Sequence, residues 1–168
     1  MSLIVLDIDQ TVSNNDHRAH LVECATPDWP AFLAPELVIK DTLITGAKKG
    51  VNKLIKGNHK IVFLTGRNEG LRDVTKEWIL KNLDIKVDHR TLLMRKLDDL
   101  RTPSAYKRSQ LSRLYYDYGD PSQYIYIDDD LHCLKMAQEF GAVTLKAPEC
   151  WGVLNVTPTL EAEKFWKR

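Results

Sequence analysis

The sequence predicts a doubly wound α/β domain: a parallel sheet with helices on both faces and a small insert after its first strand. Three observations point there. Short apolar runs ending in polar or acidic residues recur along the 168 residues, and amphipathic helical patterns lie between them. The runs are continuously apolar rather than alternating, as in strands buried on both faces. Strands that alternate with helices join into parallel sheets through right-handed crossovers.

The first run is SLIVLD, residues 2–7, and it ends in acid. The second, KIVFLT from Lys60 to Thr65, leads into Gly66-Arg67. A shorter candidate is TLLM, Thr91 to Met94. YIYID, from Tyr124 to Asp128, is followed by two further aspartates, and AVTL, Ala142 to Leu145, follows the helix stop Gly141. Helical spacing places Val51, Leu54 and Ile55 on one face of Ala47 to Lys56, and Val74, Trp78, Ile79 and Leu83 on the next helix, Leu71 to Asn82. Ala105 to Tyr116 and His132 to Phe140 follow the same rhythm. The stretch 12–46 breaks it. With Pro27, Pro30, Pro35 and polar clusters it reads as a flap or small cap, with Trp29 and Phe32 closing it over the core. The tail after Pro148 reads as irregular, with a short helix at Glu161 to Trp166, and Cys150-Trp151 as packing.

Composition bounds the function. With 43% hydrophobic and 28% charged residues and a formal net charge of +1, the chain reads as one globular domain over 1–168. A domain of this size buries roughly 70% of its unfolded surface and needs no disulfide or structural metal. No strongly basic body exists, so any nucleic-acid contact must be local. Cys24, Cys133 and Cys150 lack metal-type spacing and read as reduced thiols of a cytoplasmic protein. The opening MSLIVLD is too short for a signal peptide, and no run approaches the ~20 apolar residues of a membrane span.

Ligands of such sheets bind beyond the carboxyl ends of the strands. Asp7, Thr65 and Asp128 each stand where an apolar run stops. In Asp7-Ile8-Asp9-Gln10-Thr11 the single spacer keeps both carboxylates on one side of an extended chain, as a nucleophile and an acid–base partner require. In Thr65-Gly66-Arg67 the hydroxyl, the unhindered N–H and the guanidinium suit a phosphate oxyanion. Asp128-Asp129-Asp130 gathers carboxylates that repel by about 4 kcal/mol per pair at ~4 Å, which calls for a cation. Mg²⁺ suits an all-oxygen site, while an N-cap role accounts for one of the three. Lys107 would offset the remaining negative charge, in competition with Arg101 and Arg108. His17, Arg18 and His20 read either as substrate contacts from the flap or, more simply, as solvated residues of a polar loop. Tyr115, Tyr116 and Tyr118 beside Arg108 and Arg113 read either as a nucleic-acid face or, more simply, as a half-buried helix end.

In order and placement these segments resemble the four motifs of the haloacid dehalogenase-like (HAD) phosphatase superfamily over about residues 2–146. The resemblance implies an aspartyl-phosphate mechanism with Asp7 as nucleophile, Asp9 as acid–base, and Thr65 and Lys107 completing the site. Mg²⁺ would be held by Asp7, the Asp9 carbonyl, and Asp129 or Asp128. Gln10 stands where the family usually has glycine. The local strings are also similar to the 3′-phosphatase domain of phage-type polynucleotide kinase/phosphatases, although the chain contains no GxxxxGK[ST] kinase loop. That likeness implies a phosphorylated nucleic-acid end as substrate, with Thr11, Gly66, Arg67, Arg95 and Arg101 as binding residues. A 5′(3′)-nucleotidase acting on free nucleotides, or a non-catalytic binding protein on the same fold, is the alternative.

Overall fold

In the computed structural model, which describes residues 2–156, a five-stranded parallel sheet forms the centre. Strand β1 (Leu3–Leu6) leads into a short strand β2 (Ser13–Asn14), three one-turn helices α1 (Asp16–Ala19), α2 (Trp29–Phe32) and α3 (Pro35–Val38), and β3 (Thr42–Leu43). Then come α4 (Ala47–Lys56), β4 (Lys60–Asn68), a 3-10 turn (Glu69–Leu71), α5 (Arg72–Leu83), β5 (Leu92–Arg95) and α6 (Pro103–Tyr118). After a second 3-10 turn (Pro121–Gln123) follow β6 (Tyr124–Asp128), α7 (Leu131–Glu139), β7 (Val143–Lys146) and α8 (Glu149–Val156). The sheet order is β5-β4-β1-β6-β7. Among the described residues no helix is long and apolar enough to cross a membrane.

The doubly wound expectation is met, and side-chain alternation explains how. Ile4 and Leu6 point to one face, where they pack with Val51 and Leu54 of α4, Trp78 and Ile79 of α5, and Trp151 and Leu154 of α8. Leu3 and Val5 point to the other, against Leu111 and Leu114 of α6 and Cys133 and Ala137 of α7. Each such burial contributes roughly 1.5–3 kcal/mol, so both faces of β1 anchor it at the centre of the sheet. There it pairs with β4 through Leu6↔Phe63 and with β6 through Leu6↔Ile127, so that three carboxyl ends lie side by side.

The predicted strands and helices occur, α4 and β6 with the expected bounds and the others with ends shifted by at most three residues. The expectation for the tail is corrected: the segment Glu149–Val156 is helical, not irregular. Trp151 drives this. Its ring, 1% exposed, packs so tightly on Gly50 of α4 that a Cβ there would come within 2.5 Å of it. Its indole N–H donates to the Thr11 carbonyl at 2.8 Å, tying α8 to the loop after β1. The helix expected at Glu161 to Trp166 lies outside the described residues. Residues 12–46 form the β2–β3 antiparallel pair and the three one-turn helices. Trp29 does not close this segment over the core. It is 55% exposed and meets Phe32 edge to face at 5.7 Å.

Candidate active site

Asp7 leaves β1 beside the end of β6, its N–H donating to the Ile127 carbonyl at 2.9 Å. The chain then turns sharply: the N–H groups of Thr11, Val12 and Ser13 all reach the Ile8 carbonyl. Gln10 takes a left-handed conformation, φ +55°, in that turn. Its side chain fastens the turn from outside, donating to Asn15 at 2.6 Å and Asp16 at 2.8 Å.

The turn brings Thr11 over the ends of β1 and β6. Its hydroxyl lies 3.3 Å from Asp7 Oδ2 and 3.4 Å from Asp129 Oδ1. From below, Lys107 of α6 donates to Asp7 Oδ1 and Asp128 Oδ2, both at 2.7 Å, and the Tyr126 hydroxyl donates to Asp128 Oδ2 at 2.8 Å. Thr102 caps α6 five residues before Lys107, and Lys107 is itself buried. Asp130 is the N-cap of α7, accepting from the His132 and Cys133 N–H groups. The acidic run thus divides: one aspartate caps a helix and two join Asp7.

Charge is uncompensated here. Burial, then the Asp128 and Asp9 charges, push the Asp7 carboxyl well above its ordinary value against the pull of Lys107. Burial and Asp128 push Asp129 up to about 6. Oxygens of Asp7, Asp128 and Asp129 lie within 4.8 Å of one another. This close, all-oxygen, electron-rich set fits a hard dication such as Mg²⁺.

Asp9 faces a different environment. Arg67 holds it through Nε at 2.9 Å and Nη2 at 2.7 Å, Arg18 Nη2 lies at 3.0 Å, and Asn15 donates at 3.2 Å. Burial raises its pKa, but the Arg67 and Arg18 charges and these bonds outweigh it and bring the carboxyl down to about 2. Behind the arginines stands Asp41, fully buried at the start of β3. It accepts from Arg18 Nε and Nη2 at 2.8 and 2.7 Å, from Arg67 Nη2 at 2.8 Å and from Ser13 Oγ at 3.0 Å. His17 Nε2 lies 3.0 Å from Asp41 Oδ1. The Trp78 indole fixes the Asp41 carbonyl at 2.7 Å.

The residues predicted from sequence thus separate. Asp7, Thr11, Lys107, Asp128 and Asp129 converge. Thr65, fully buried within β4, accepts from the Arg67 N–H at 3.2 Å. Arg67 does not lie open to an oxyanion: it is 2% exposed and engaged with Asp9, Asp41, Ser13 and Thr75. Arg18 likewise points inward, stacked 4.2 Å over Phe32, whereas His20 is exposed. Arg95 borders exposed Gly66, and Arg101 pairs with Asp99 at 2.6 Å. At the far end of α6, Tyr116 is 86% exposed and Tyr115 half exposed, more than a half-buried helix end implies. Two buried participants escaped the sequence reading. Asp41 lies in no motif, between Lys40 and Thr42, and Tyr126 reads as one more apolar residue of its strand.

Residues 1–120 match the model of the HAD superfamily, subfamily IIIB (acid phosphatase). No curated protein matches the chain. Among solved structures, a chain of the Pnkp1/Rnl/Hen1 RNA repair complex is similar at TM-score 0.60 and 21% identity over 87% of this chain, which spans 42% of that one. A haloacid dehalogenase-like hydrolase from Streptococcus pneumoniae aligns at TM-score 0.63 and 12% identity over 99% of this chain and 98% of its own. D,D-heptose 1,7-bisphosphate phosphatase from B. bronchiseptica, solved with magnesium and phosphate, aligns at TM-score 0.54 and 15% identity over 99% of both chains.

Proposed function

Since the chain belongs to subfamily IIIB of the HAD superfamily, a phosphatase family, we propose that it is a Mg²⁺-dependent phosphomonoesterase that removes 3′-phosphates from nucleic-acid ends. The observation that carries the chemistry is the convergence of Asp7, Thr11, Lys107, Asp128 and Asp129 on one point at the carboxyl edge of the sheet.

In the first half-reaction an Asp7 carboxylate oxygen attacks phosphorus, and the bond from phosphorus to the leaving oxygen breaks. Asp9 passes a proton to that oxygen. In the second half, water attacks the aspartyl-phosphate, Asp9 takes its proton, and the bond to Asp7 breaks, releasing inorganic phosphate. The arginines keep Asp9 ionised at rest, as the second half needs. A phosphate dianion arriving beside it raises its pKa again, as the first half needs. Thr65 and Lys107 hold the transferring group, and the direct bond from Lys107 favours the ionised form of Asp7. Mg²⁺, bound by Asp7, the Asp9 carbonyl and Asp129 or Asp128, would supply charge neutralisation of the phosphate.

For the substrate, the support is the modest size of segment 12–46, taken here as a flap on a single domain. Its one-turn helices make a small lid, suited to the end of a long chain. Arg95 beside Gly66, and Arg101, favour a polyanion, and the likeness to an RNA repair chain points the same way. The test compares a 3′-phosphorylated oligonucleotide with 3′-dTMP and 5′-dTMP, each with and without Mg²⁺. The oligonucleotide should be turned over best, with a salt slope steeper by ~0.7 for each phosphate contacted. Equal or faster turnover of the mononucleotides makes the protein a nucleotidase instead. Asp7→Asn should lower every rate by about 10³-fold or more. Wild-type inertness across a broad phosphate panel would identify a non-catalytic binding protein.

A further inference from the structure

Beside the cleft, where β5 ends, lie two buried polar atoms without partners: Arg95 Nε and the Tyr106 hydroxyl. Tyr106 is 2% exposed, so water does not solvate that hydroxyl freely. Native interiors leave few such groups unpaired, and a pair of them in one place needs a reason. The two belong together. The Arg95 guanidinium stands 5.5 Å from the centroid of the Tyr106 ring, and that of Arg101 stands 5.7 Å from it. The hydroxyl lies in the combined field of Glu69, Arg95, Asp99 and Arg101. Burial pushes it up to about 12, so it remains a neutral donor at ordinary pH. Arg101 is steadied by Asp99 through bonds of 2.9 and 2.6 Å.

The cluster adjoins the cleft. A Cβ on Gly66, the exposed residue after Thr65, would stand 4.0 Å from Arg95 Nη2. Tyr106 immediately precedes Lys107, whose ammonium reaches Asp7. On the outer rim Leu97 and Leu100 are 72% and 94% exposed, and Leu97 packs toward Gly70. Two guanidiniums, an unspent hydroxyl donor and an apolar rim match a phosphate carrying an organic substituent.

We propose that Arg95, Arg101 and Tyr106 form a subsite for a second phosphate of the substrate, next to the one that is cleaved, with Leu97 and Leu100 against the attached sugar or base. The assignment rests on the phosphatase reading of the Asp7 centre. The second phosphate is either the phosphodiester that precedes a 3′-terminal phosphate or the other monoester of a bisphosphate.

Three substrates distinguish these: thymidylyl-thymidine 3′-phosphate, thymidine 3′,5′-bisphosphate and 3′-dTMP. Wild type should show a kcat/KM at least about tenfold higher for one two-phosphate substrate than for 3′-dTMP, the size expected of charged hydrogen bonds. Preference for the dinucleotide identifies the phosphodiester, and preference for the bisphosphate identifies the monoester. Arg95→Ala and Tyr106→Phe should each cut that preference about fivefold or more. Absence of any preference in wild type, or a preference unchanged within twofold in both variants, overturns the subsite. If wild type cleaves none of the three, the phosphatase reading fails first, and binding still decides the subsite. Calorimetry with the dinucleotide then compares Asp7→Asn with Asp7→Asn/Arg95→Ala. A loss of affinity of about tenfold supports the subsite, and equal affinities overturn it.

Discussion

Two charge clusters share the carboxyl end of the sheet, and they are balanced in opposite ways. Around Asp7, the carboxylates of Asp7, Asp128 and Asp129 face the single ammonium of Lys107. Around Asp9, the carboxylates of Asp9 and Asp41 face the guanidiniums of Arg18 and Arg67. The carboxyls register the difference: Asp7 and Asp129 are pushed up, Asp9 is brought down to about 2. A cluster short of positive charge has room for a dication and repels a phosphate until one arrives. A neutral cluster needs nothing further, and its arginines are taken up by Asp9 and Asp41. Asp7 and Asp9, the proposed nucleophile and acid–base partner, stand two residues apart in oppositely balanced surroundings.

The deficit around Asp7 makes Lys107 the most exposed point of the comparison. Lys107→Ala should lower kcat by about 10²–10³-fold, because among the described residues no other cation contacts both Asp7 and Asp128. Arg101, tied to Asp99 at the surface, should matter less for p-nitrophenyl phosphate. The opposite ranking, with Arg101→Ala the slower variant, would reassign the central cation.

On the neutral side Asp41 holds both arginines. Asp41→Asn leaves two buried guanidiniums partly unpaired and should cost about 3 kcal/mol of stability, read from denaturant unfolding. It should also slow alkyl phosphates about tenfold more than aryl phosphates, because a mispointed Asp9 hurts poor leaving groups most. Equal slowing of both classes would mean that Asp41 supports the fold and not the direction of Asp9.

The unequal balance also fixes a pH dependence. A carboxyl whose folded pKa is raised, as for Asp129 at about 6, binds more protons folded than unfolded. Its ionisation therefore costs the metal-free protein stability as pH rises from about 4 to about 6. On the proposed reading Mg²⁺ binds the ionised form and relieves that cost. The Mg²⁺-induced rise in Tm should accordingly be larger at about pH 7.5 than at about pH 5. The same rise at both values would show that these carboxylates are not the ligands.

Most of this was legible in the sequence where chemistry and strand ends coincide. Asp7, Asp128 and Lys107 are marked by apolar runs and a polar link, and the parallel register then brings them together. The neutral cluster was not legible. Asp41 acquires its partners only when β3 folds back on β2, and Arg67, read from its motif as a phosphate ligand, turns inward onto Asp9 and Asp41. Trp151 looked like packing, and so it is, but its bond to the Thr11 carbonyl spans 140 residues and left no local pattern. Pairings of that separation are set by topology, which a one-dimensional pattern does not contain.

The smallest expected effect concerns Gln10, which stands at the joint between the two clusters. A residue with a side chain at φ +55° costs roughly 1 kcal/mol relative to glycine. Here the side chain offsets that cost by bonding Asn15 and Asp16, and Asn15 in turn donates to Asp9. Gln10→Gly removes the strain and the bonds together and adds backbone freedom to the unfolded chain. The net change in stability should stay within about 1 kcal/mol. The rate should shift more for alkyl than for aryl phosphates, since the lost bonds lead to Asp9 and not to Asp7. A selective effect on p-nitrophenyl phosphate would show instead that the turn governs the nucleophile, and the two clusters would then have to be treated as one.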